Sequence, residues 1–339
     1  MSNTPTGAPR KAFALPSLNM QSIGIYGAAV AIFVIFGLLN PNFLTVGNLR
    51  DVAIAASINA IIGLGITFVI ITGGIDLSVG SIASFVGIVA ATLMVNGGVA
   101  PIIALLAGVG LGLACGTANG LLITKLKLPP FIATLGTMSV FQGFAYVVTD
   151  GKPVYNVPTE FVLMLNSYIG GVPVMVLIVA AVGVVSWLIL RKTVFGENVI
   201  ATGGSEETAW LSGIRVQRVK IYVYAISGGM AGLAGLILVA RINAAQSEGG
   251  SPYLLTAIAA AVIGGANLMG GGPHRGNSRR RAYSWRTHQW ARVAQCPELL
   301  RTNCDGSCCH HRGCSRSGRQ GVADSETWED TVSRDPHRN

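Results

Sequence analysis

Asp76 is the residue of this chain whose type and position most directly suggest chemistry. It lies in the stretch TGGIDLSVGS (72–81), between two apolar runs, and it is the only acidic residue between Asp51 and Asp150. A carboxylate inside a membrane is costly, and a protein that keeps one usually binds a proton or a cation with it. A proton path normally contains more than one ionisable side chain, so we favour the alternative, in which Asp76 caps a helix at a tight turn.

The neighbours of Asp76 are typical of such a turn. Three glycines permit backbone dihedrals that other residues avoid, and the side-chain oxygens of Ser78 and Asp76 can accept hydrogen bonds from freed N–H groups. The sequence therefore predicts a membrane turn motif formed by Gly73, Gly74, Asp76, Ser78 and Gly80.

A second group of reactive side chains lies near the end of the chain. Its members are zinc-ligand types: Cys304, Cys308, Cys309, His310, His311 and Cys314. The ligand spacings of Cys₂His₂ and Cys₄ sites are absent, and the flanking residues lack the periodicity of a helix or strand, so we predict no metal site. The sequence also contains no Walker A loop, Ser-His-Asp set, carboxylate pair or nucleophile elbow. We predict no catalytic residues and no cofactor.

A third candidate is the polar segment 191–220, RKTVFGENVIATGGSEETAWLSGIRVQRVK, which separates two apolar runs. Ser205 is suited to cap a short helix, and Gly213 is suited to end it. Glu206 and Glu207 suit the positive N-terminal end of that helix. A membrane protein without catalytic residues must receive energy or signals from another protein. We therefore expect a partner to bind this helix. An ordinary solvated loop is the alternative at this point.

The composition indicates which solvent surrounds these segments. Hydrophobic residues make up 51% of the chain, charged residues only 12%, and the mean hydropathy is +0.55. Apolar surface is too abundant for an ordinary soluble domain, so we expect a bilayer. The net charge of +9 invites a nucleic-acid partner, but half of the 24 Lys and Arg residues are arginines of the last 67 residues, which contain no lysine. We predict no nucleic-acid partner.

Eight apolar runs predict an all-α polytopic membrane protein with about eight transmembrane helices in residues 20–272. Most runs match the roughly 20 residues that a spanning helix needs, although the third and eighth are short. Glycines inside them are suited to close helix packing in lipid. The runs are Ile23–Leu39, Val52–Thr72, Ser81–Val95, Ala100–Thr124, Phe131–Thr149, Val172–Leu190, Ile221–Ala240 and Leu254–Met269.

Charged residues in the connections predict the orientation. Residues 1–20 contain three prolines and two basic residues, which favours a disordered cytoplasmic N-terminus. With that end inside, nine basic residues lie in inside segments and three in outside segments, which agrees with the positive-inside rule. The segment 191–220 is then cytoplasmic. A secretory signal peptide is a weaker interpretation, because the first run is long enough to span and no small-residue cleavage site follows it.

Four motifs in order carry a resemblance to a known family. TGGIDLSVGS (72–81), LPPFIATLGTMSVFQG (128–143), FGENVIATGGSEETAWLSGIRV (195–216) and AVIGGANLMGGG (261–272) resemble permease subunits of bacterial ABC importers for ribose, xylose and related monosaccharides. Permeases for branched-chain amino acids share some of this pattern. The resemblance covers nearly all of residues 20–272 and implies a bacterial inner-membrane permease domain over residues 21–272.

The resemblance also implies partners and a mechanism. The partners are an ABC ATPase subunit, a periplasmic sugar-binding protein, a second permease subunit, for which we favour a homodimer over a heterodimer, and membrane lipid. The implied mechanism is alternating access, driven by an ATPase that moves a coupling segment. In this sequence the coupling residues are Phe195, Gly196, Glu197, Gly203, Gly204, Glu206, Glu207, Ala209 and Gly213. Asn59, Thr67, Asn119 and Gln142 either line the sugar pathway or form interhelical hydrogen bonds, and we favour the hydrogen bonds.

The chain departs from the family pattern after Gly272. Family members continue with apolar spans, whereas residues 273–339 contain 12 Arg, no Lys, all five His and five of the six Cys, and no apolar run long enough to span. We predict that this aberrant tail is disordered and that the family's last spans are missing.

A shifted reading frame explains this composition. Displaced by one nucleotide, the codons of residues 308–315, CCHHRGCS, can encode Val-Val-Ile-Ile-Ala-Val-Ala-Leu, which is an apolar segment. Two alternatives to an active ABC permease stay open at this point. One is a secondary transporter with Asp76 as its ion-coupling site, and the other is an inactive truncated product of a frameshifted gene.

Overall fold

A computed structural model describes residues 20–263, and this part of the chain is almost entirely helical. It contains eleven helices and four strands of two residues each. In chain order these are α1 (Met20–Leu39), α2 (Val46–Ile71), α3 (Val79–Val95), α4 (Pro101–Lys125), α5 (Pro130–Thr149), β1 (Val154–Tyr155), α6 (Thr159–Asn166), β2 (Tyr168–Ile169), β3 (Val172–Pro173), α7 (Val174–Lys192), α8 (Val194–Gly204), α9 (Glu206–Leu211), α10 (Val216–Ile242), β4 (Ala244–Ala245) and α11 (Ser251–Ile263). The prediction of an all-α protein is confirmed.

Each predicted apolar run coincides with one helix: α1, α2, α3, α4, α5, α7, α10 and α11. Among residues 20–263, five helices are long and apolar enough to cross a membrane, namely α2, α4, α5, α7 and α10. Helices α3 and α11 are apolar but have only 17 and 13 residues. The third run is therefore short, as predicted, and the end of the eighth run at Met269 lies outside the described residues.

Helix α10 lies at the centre of the bundle and packs along α4, α2 and α3. Its contact with α4 is backbone to backbone. A Cβ atom on Gly116 of α4 would lie 2.1 Å from the Tyr224 carbonyl oxygen, and a Cβ atom on Gly228 of α10 would lie 2.3 Å from the Gly112 carbonyl oxygen. Small residues allow this close approach in membrane bundles. Burial of apolar surface between helices adds little to their stability there, because lipid is as apolar as the side chains. The predicted packing through glycines is confirmed.

The outer faces of the spanning helices are apolar. Only 28%, 22% and 22% of the apolar windows of α4, α5 and α7 is buried, whereas 78% is buried in α2 and in α10. Exposed side chains on the outer faces include Ile103, Leu106 and Val147. Exposed apolar surface on this scale would be unusual in a soluble monomer, and lipid is the solvent that suits it.

The connections contain structure that the sequence did not predict. Helix α2 begins at Val46, six residues before the predicted run, because Thr45 caps it by accepting a hydrogen bond from the Asn48 N–H. Between α5 and α7, α6 buries Phe161 and Leu165. Strand β1 pairs antiparallel with β4, and β2 with β3. Strands of two residues are too short to show an alternating pattern.

Several predictions fall outside the described residues. These are the disorder of residues 1–20, except for Met20 at the start of α1, and the whole of the 273–339 tail with its cysteine and histidine cluster. The last part of the motif 261–272 also lies outside them.

Candidate functional site

The segment 191–220 is helical over most of its length. Helix α7 extends to Lys192, α8 and α9 follow, and α10 begins at Val216. The short helix predicted after Ser205 is α9. Helix α8 was not predicted, because its three glycines lower helix propensity and its stability depends on packing, such as that of the buried Val199.

Both short helices have N-terminal caps. The Thr193 hydroxyl accepts a hydrogen bond from the Gly196 N–H (3.2 Å), and the Ser205 hydroxyl accepts one from the Thr208 N–H (3.2 Å). After α9 the chain turns at Gly213, whose φ of +83° lies in the left-handed region that favours glycine. The cap and the stop that the sequence predicts for α9 are therefore confirmed.

The predicted coupling residues differ in what a partner could touch. Glu197, Glu206, Glu207 and Gly213 are exposed, and Phe195, Gly203 and Gly204 are half-buried. Gly196 and Ala209 are buried, so neither can contact a partner directly. A Cβ atom on Gly196 would lie 2.3 Å from the Leu190 carbonyl oxygen, which shows that this glycine lets α8 approach the end of α7.

The structure adds two residues to the candidate surface. Trp210 and Leu211, at the end of α9, are 68% and 71% exposed. Their exposure could not be inferred from the sequence, because a six-residue helix is too short for its apolar pattern to indicate a buried face. The exposed surface of α9 thus combines two carboxylates with two large apolar side chains.

Two contacts join this surface to the central helix. The Glu206 carboxylate oxygen Oε1 lies 2.5 Å from Lys220 Nζ, and the Phe195 and Tyr222 rings meet edge to face with centroids 6.2 Å apart. Lys220 and Tyr222 belong to the first two turns of α10. These two contacts connect α8 and α9 to the first turns of α10.

The membrane turn motif lies beside α10, two turns further along. Asp76 is fully buried in the break between α2 and α3. Its Oδ1 accepts from the Ser78 N–H (3.0 Å) and the Ser78 hydroxyl (2.6 Å), and its Oδ2 accepts from the Ser227 hydroxyl of α10 (2.9 Å). The Asn119 amide of α4 donates to the Ser78 hydroxyl (2.7 Å). Asp76 therefore ties the break to α10, and Ser78 ties it to α4.

The glycines of this motif serve two different purposes. Only Gly73 has a positive φ, +76°. A Cβ atom on Gly74 would lie 2.6 Å from the Tyr224 hydroxyl oxygen, and one on Gly80 would lie 3.0 Å from the Gly250 carbonyl oxygen. The prediction of unusual dihedrals is right for Gly73 and wrong for Gly74 and Gly80, which instead make room for neighbouring groups.

The four polar residues inside the spans form hydrogen bonds. Asn119 bonds Ser78, the Gln142 amide donates to the Ser247 carbonyl oxygen, and Asn59 accepts from Thr256 (2.6 Å). Thr67 donates to the Gly63 carbonyl oxygen of its own helix. The favoured interpretation, interhelical hydrogen bonds, is confirmed for Asn59, which bonds Thr256 of α11. Asn119 and Gln142 instead bond residues in the connections between helices, and the interpretation is wrong for Thr67.

The comparison with known families fits this architecture. The family model for the permease component of branched-chain amino acid transport systems matches residues 48–272, about two thirds of the chain. The chain belongs to this family of transport permeases. The matched residues end at Gly272, the residue after which the composition of the sequence changes.

Relatives of this permease include sugar transport proteins. The ribose import permease RbsC of Bacillus subtilis strain 168 is 42% identical over 254 residues, which cover 74% of this chain and 79% of the relative. The ribose import permease RbsC of Escherichia coli K12 is 42% identical over 72% and 77% of the two chains. The D-allose permease AlsC of the same strain is 38% identical over 75% and 78%. The predicted resemblance to sugar permeases is confirmed. No solved structure matches the chain.

Proposed function

We propose that this permease is the membrane subunit of an ATP-driven importer for a monosaccharide of the ribose type, with α9 as the contact for an ATPase subunit. The family and the sugar permeases among its relatives support the transport function. The observation that carries the ATPase contact is the exposed apolar end of α9, next to Glu206 and Glu207.

The chemistry of α9 suits a groove on a partner protein. Trp210 and Leu211 supply the large apolar side chains that usually anchor an interface, tryptophan especially. Glu206 and Glu207 favour a basic rim around that groove and speed the encounter with it. The Ser205 cap holds the helix before the partner arrives, which lowers the ordering cost of binding.

The contacts of α8 and α9 with α10 supply a mechanism for alternating access. When the ATPase subunits close, they displace α9. The first turns of α10 move with it, because the Glu206–Lys220 ion pair joins the two helices. Helix α10 is continuous over 27 residues and carries Ser227, which bonds Asp76 in the break between α2 and α3. Movement of α10 then shifts the break, and the break rearranges the sugar pathway.

The remaining partners follow from the same proposal. The N-terminus and the segment 191–220 face the cytoplasm, as the distribution of basic residues favours. The connection 150–173 faces the periplasm, where a binding protein delivers the sugar. A second copy of the permease completes the pathway, and ATP is hydrolysed in the partner subunit.

Co-purification with the ATPase subunit of a ribose-type importer tests the contact. We expect the doubly changed variant Trp210→Ala with Leu211→Ala to lose the ATPase, and Glu206→Lys with Glu207→Lys to lose it as well. The matched control is Tyr155→Ala with Ile169→Ala, two residues that are 58% and 63% exposed at the other end of α5 and α7. Equal loss in the control, or no loss in the α9 variants, would contradict the proposal.

The energy source is tested by uptake of labelled ribose in a strain without its own ribose permease. Uptake through an ATP-driven importer stops when ATP is depleted and survives an uncoupler of the ion gradient. Uptake that an uncoupler abolishes while ATP is kept high would favour the ion-coupled transporter instead.

A further inference from the structure

A cavity of about 340 Å³ lies beside the first residue of α9. It is bounded by the end of α4, the connection between α4 and α5, and the first turns of α10. This volume is within the range of about 300–1,000 Å³ that is usual for sites of small ligands. The mechanism proposed above uses two of its lining residues, Glu206 and Lys220, but assigns no ligand to the cavity itself.

Two lysines and one glutamate line the cavity. Lys220 is paired with Glu206, as described above, and its side chain is 17% exposed. Lys127 forms no ion pair with another residue of the part that the structure describes. Within the described part of the chain, Lys127 therefore has no counter-charge in the cavity. The partner of Lys220, Glu206, is more than half exposed to solvent, so another anion can replace it at Lys220.

The backbone at Lys127 places this residue at the edge of the cavity. Its φ of +55° lies in the left-handed region, just after the last turn of α4. Asp150 and Asn243 adopt the same conformation at the ends of α5 and α10, so at Lys127 it ends the helix and turns the chain.

The cavity lies at a membrane boundary. The spanning helix α4 ends there, and the spanning helices α5 and α10 begin there. Its apolar walls include Leu128, Pro129 and Val216, and the N-terminal end of α10, which is favourable for an anion, lies at its edge. Basic clusters at the ends of spanning helices attract anionic lipids.

We propose that this cavity binds the phosphate group of an anionic lipid. Lys127 contacts the phosphate first, and the apolar walls receive the glycerol and upper acyl region. The phosphate competes with Glu206 for Lys220. Lipid binding therefore weakens the Glu206–Lys220 ion pair that joins α9 to α10. The lipid thereby becomes a regulator of α9, and binding requires neither sugar, binding protein nor ATPase.

The test is native mass spectrometry of the full chain in detergent, titrated with phosphatidylglycerol, phosphatidylcholine or glycerol 3-phosphate. We expect retention of phosphatidylglycerol over phosphatidylcholine, about fivefold weaker binding in Lys127→Gln, and unchanged binding in Lys152→Gln. The Lys152 control lies in the 150–173 connection and does not line the cavity. Glu206→Gln should bind phosphatidylglycerol more tightly than the unchanged chain, because the competitor for Lys220 is gone.

The outcomes separate the possibilities. Tighter binding in Glu206→Gln together with weaker binding in Lys127→Gln supports the proposal, because a general loss of folding cannot strengthen binding. Equal retention of both lipids, or equal weakening in Lys127→Gln and Lys152→Gln, overturns it. If glycerol 3-phosphate binds as tightly as phosphatidylglycerol, the site recognises soluble phosphate and the lipid assignment is wrong. Each result is independent of whether the ATPase binds α9.

Discussion

At the scale of single residues, the Asp76 carboxylate accepts hydrogen bonds from the Ser78 N–H and from the hydroxyls of Ser78 and Ser227. Within residues 20–263 no lysine or arginine forms an ion pair with it. Every one of these bonds holds the break between α2 and α3 in place or ties it to α10. The contacts therefore favour the structural role of Asp76 over an ion-coupling role.

Replacement of Asp76 tests this role. Asp76→Ala leaves buried donors of Ser78 and Ser227 without an acceptor, and we expect it to destabilise the fold by about 1–3 kcal/mol. Asp76→Asn keeps one oxygen for the two Ser78 donors, and its NH2 can donate to the Ser227 hydroxyl, which is also able to accept. This variant should retain most of the stability and most of the transport. The measurement is thermal unfolding in detergent beside ribose uptake, with Asp51→Ala at an exposed position of α2 as the control. An Asp76→Asn variant that folds normally but transports nothing would favour ion coupling.

Of the hydrogen bonds to Asp76, the sequence indicates the local one with Ser78 but not the distant one with Ser227. A lone acidic residue among glycines between two apolar runs singles out Asp76, and its bond to Ser78 is a local one over two residues. Ser227 is 151 residues away in the chain, and no sequence pattern connects it with Asp76. The buried state of Gly196 could not be predicted either, because it depends on how α8 folds back against the end of α7.

At the scale of elements, α9 depends on its cap. Ser205→Ala removes the acceptor of the Thr208 N–H and should weaken the helix by about 1 kcal/mol, so that amides of α9 exchange with solvent about fivefold faster. Hydrogen exchange followed by mass spectrometry measures this. Thr193→Ala is the matched control, since it removes the cap of α8 and leaves that of α9. Unchanged exchange in Ser205→Ala would show that the cap does not hold α9.

The contact of α4 with α10 depends on glycine. Gly116→Ala places a methyl group against the Tyr224 carbonyl oxygen, and we expect the helices to separate at a cost of about 1–3 kcal/mol. Gly110→Ala on the same helix is the control, because a Cβ atom there has no neighbour within 4 Å. Thermal unfolding compares them. Equal midpoints for the two variants would contradict backbone contact between α4 and α10.

Elements were predictable where their cause is local. The eight apolar runs, the Ser205 cap and the Gly213 stop are all visible in short windows of sequence. Helix α8 was missed because packing outweighs its glycines, and the early start of α2 was missed because Arg50 and Asp51 interrupt the apolar pattern. The exposure of Trp210 and Leu211 was also hidden, since apolar residues usually indicate a core.

At the scale of the whole molecule, the family match and the change of composition meet at Gly272. We propose that residues 273–339 are translated in a shifted frame. Sequencing the gene tests this directly. The DNA that encodes residues 273–339 should contain, in a frame displaced by one nucleotide, a long open reading frame for apolar residues. A chain with that frame restored should support ribose uptake in a permease-deleted strain, and the chain as it stands should support measurably less. Equal uptake by both would contradict the proposal.

We propose that α9 faces the cytoplasm and binds the ATPase subunit there. The most direct test is the labelling of Trp210→Cys in intact cells with a membrane-impermeant maleimide, after the five cysteines of residues 273–339 are replaced by serine. Tyr155→Cys, in the connection at the other end of α5, is the control. The account predicts that Tyr155→Cys is labelled in intact cells and that Trp210→Cys is labelled only after the inner membrane is permeabilised. Labelling of Trp210→Cys in intact cells would contradict the account.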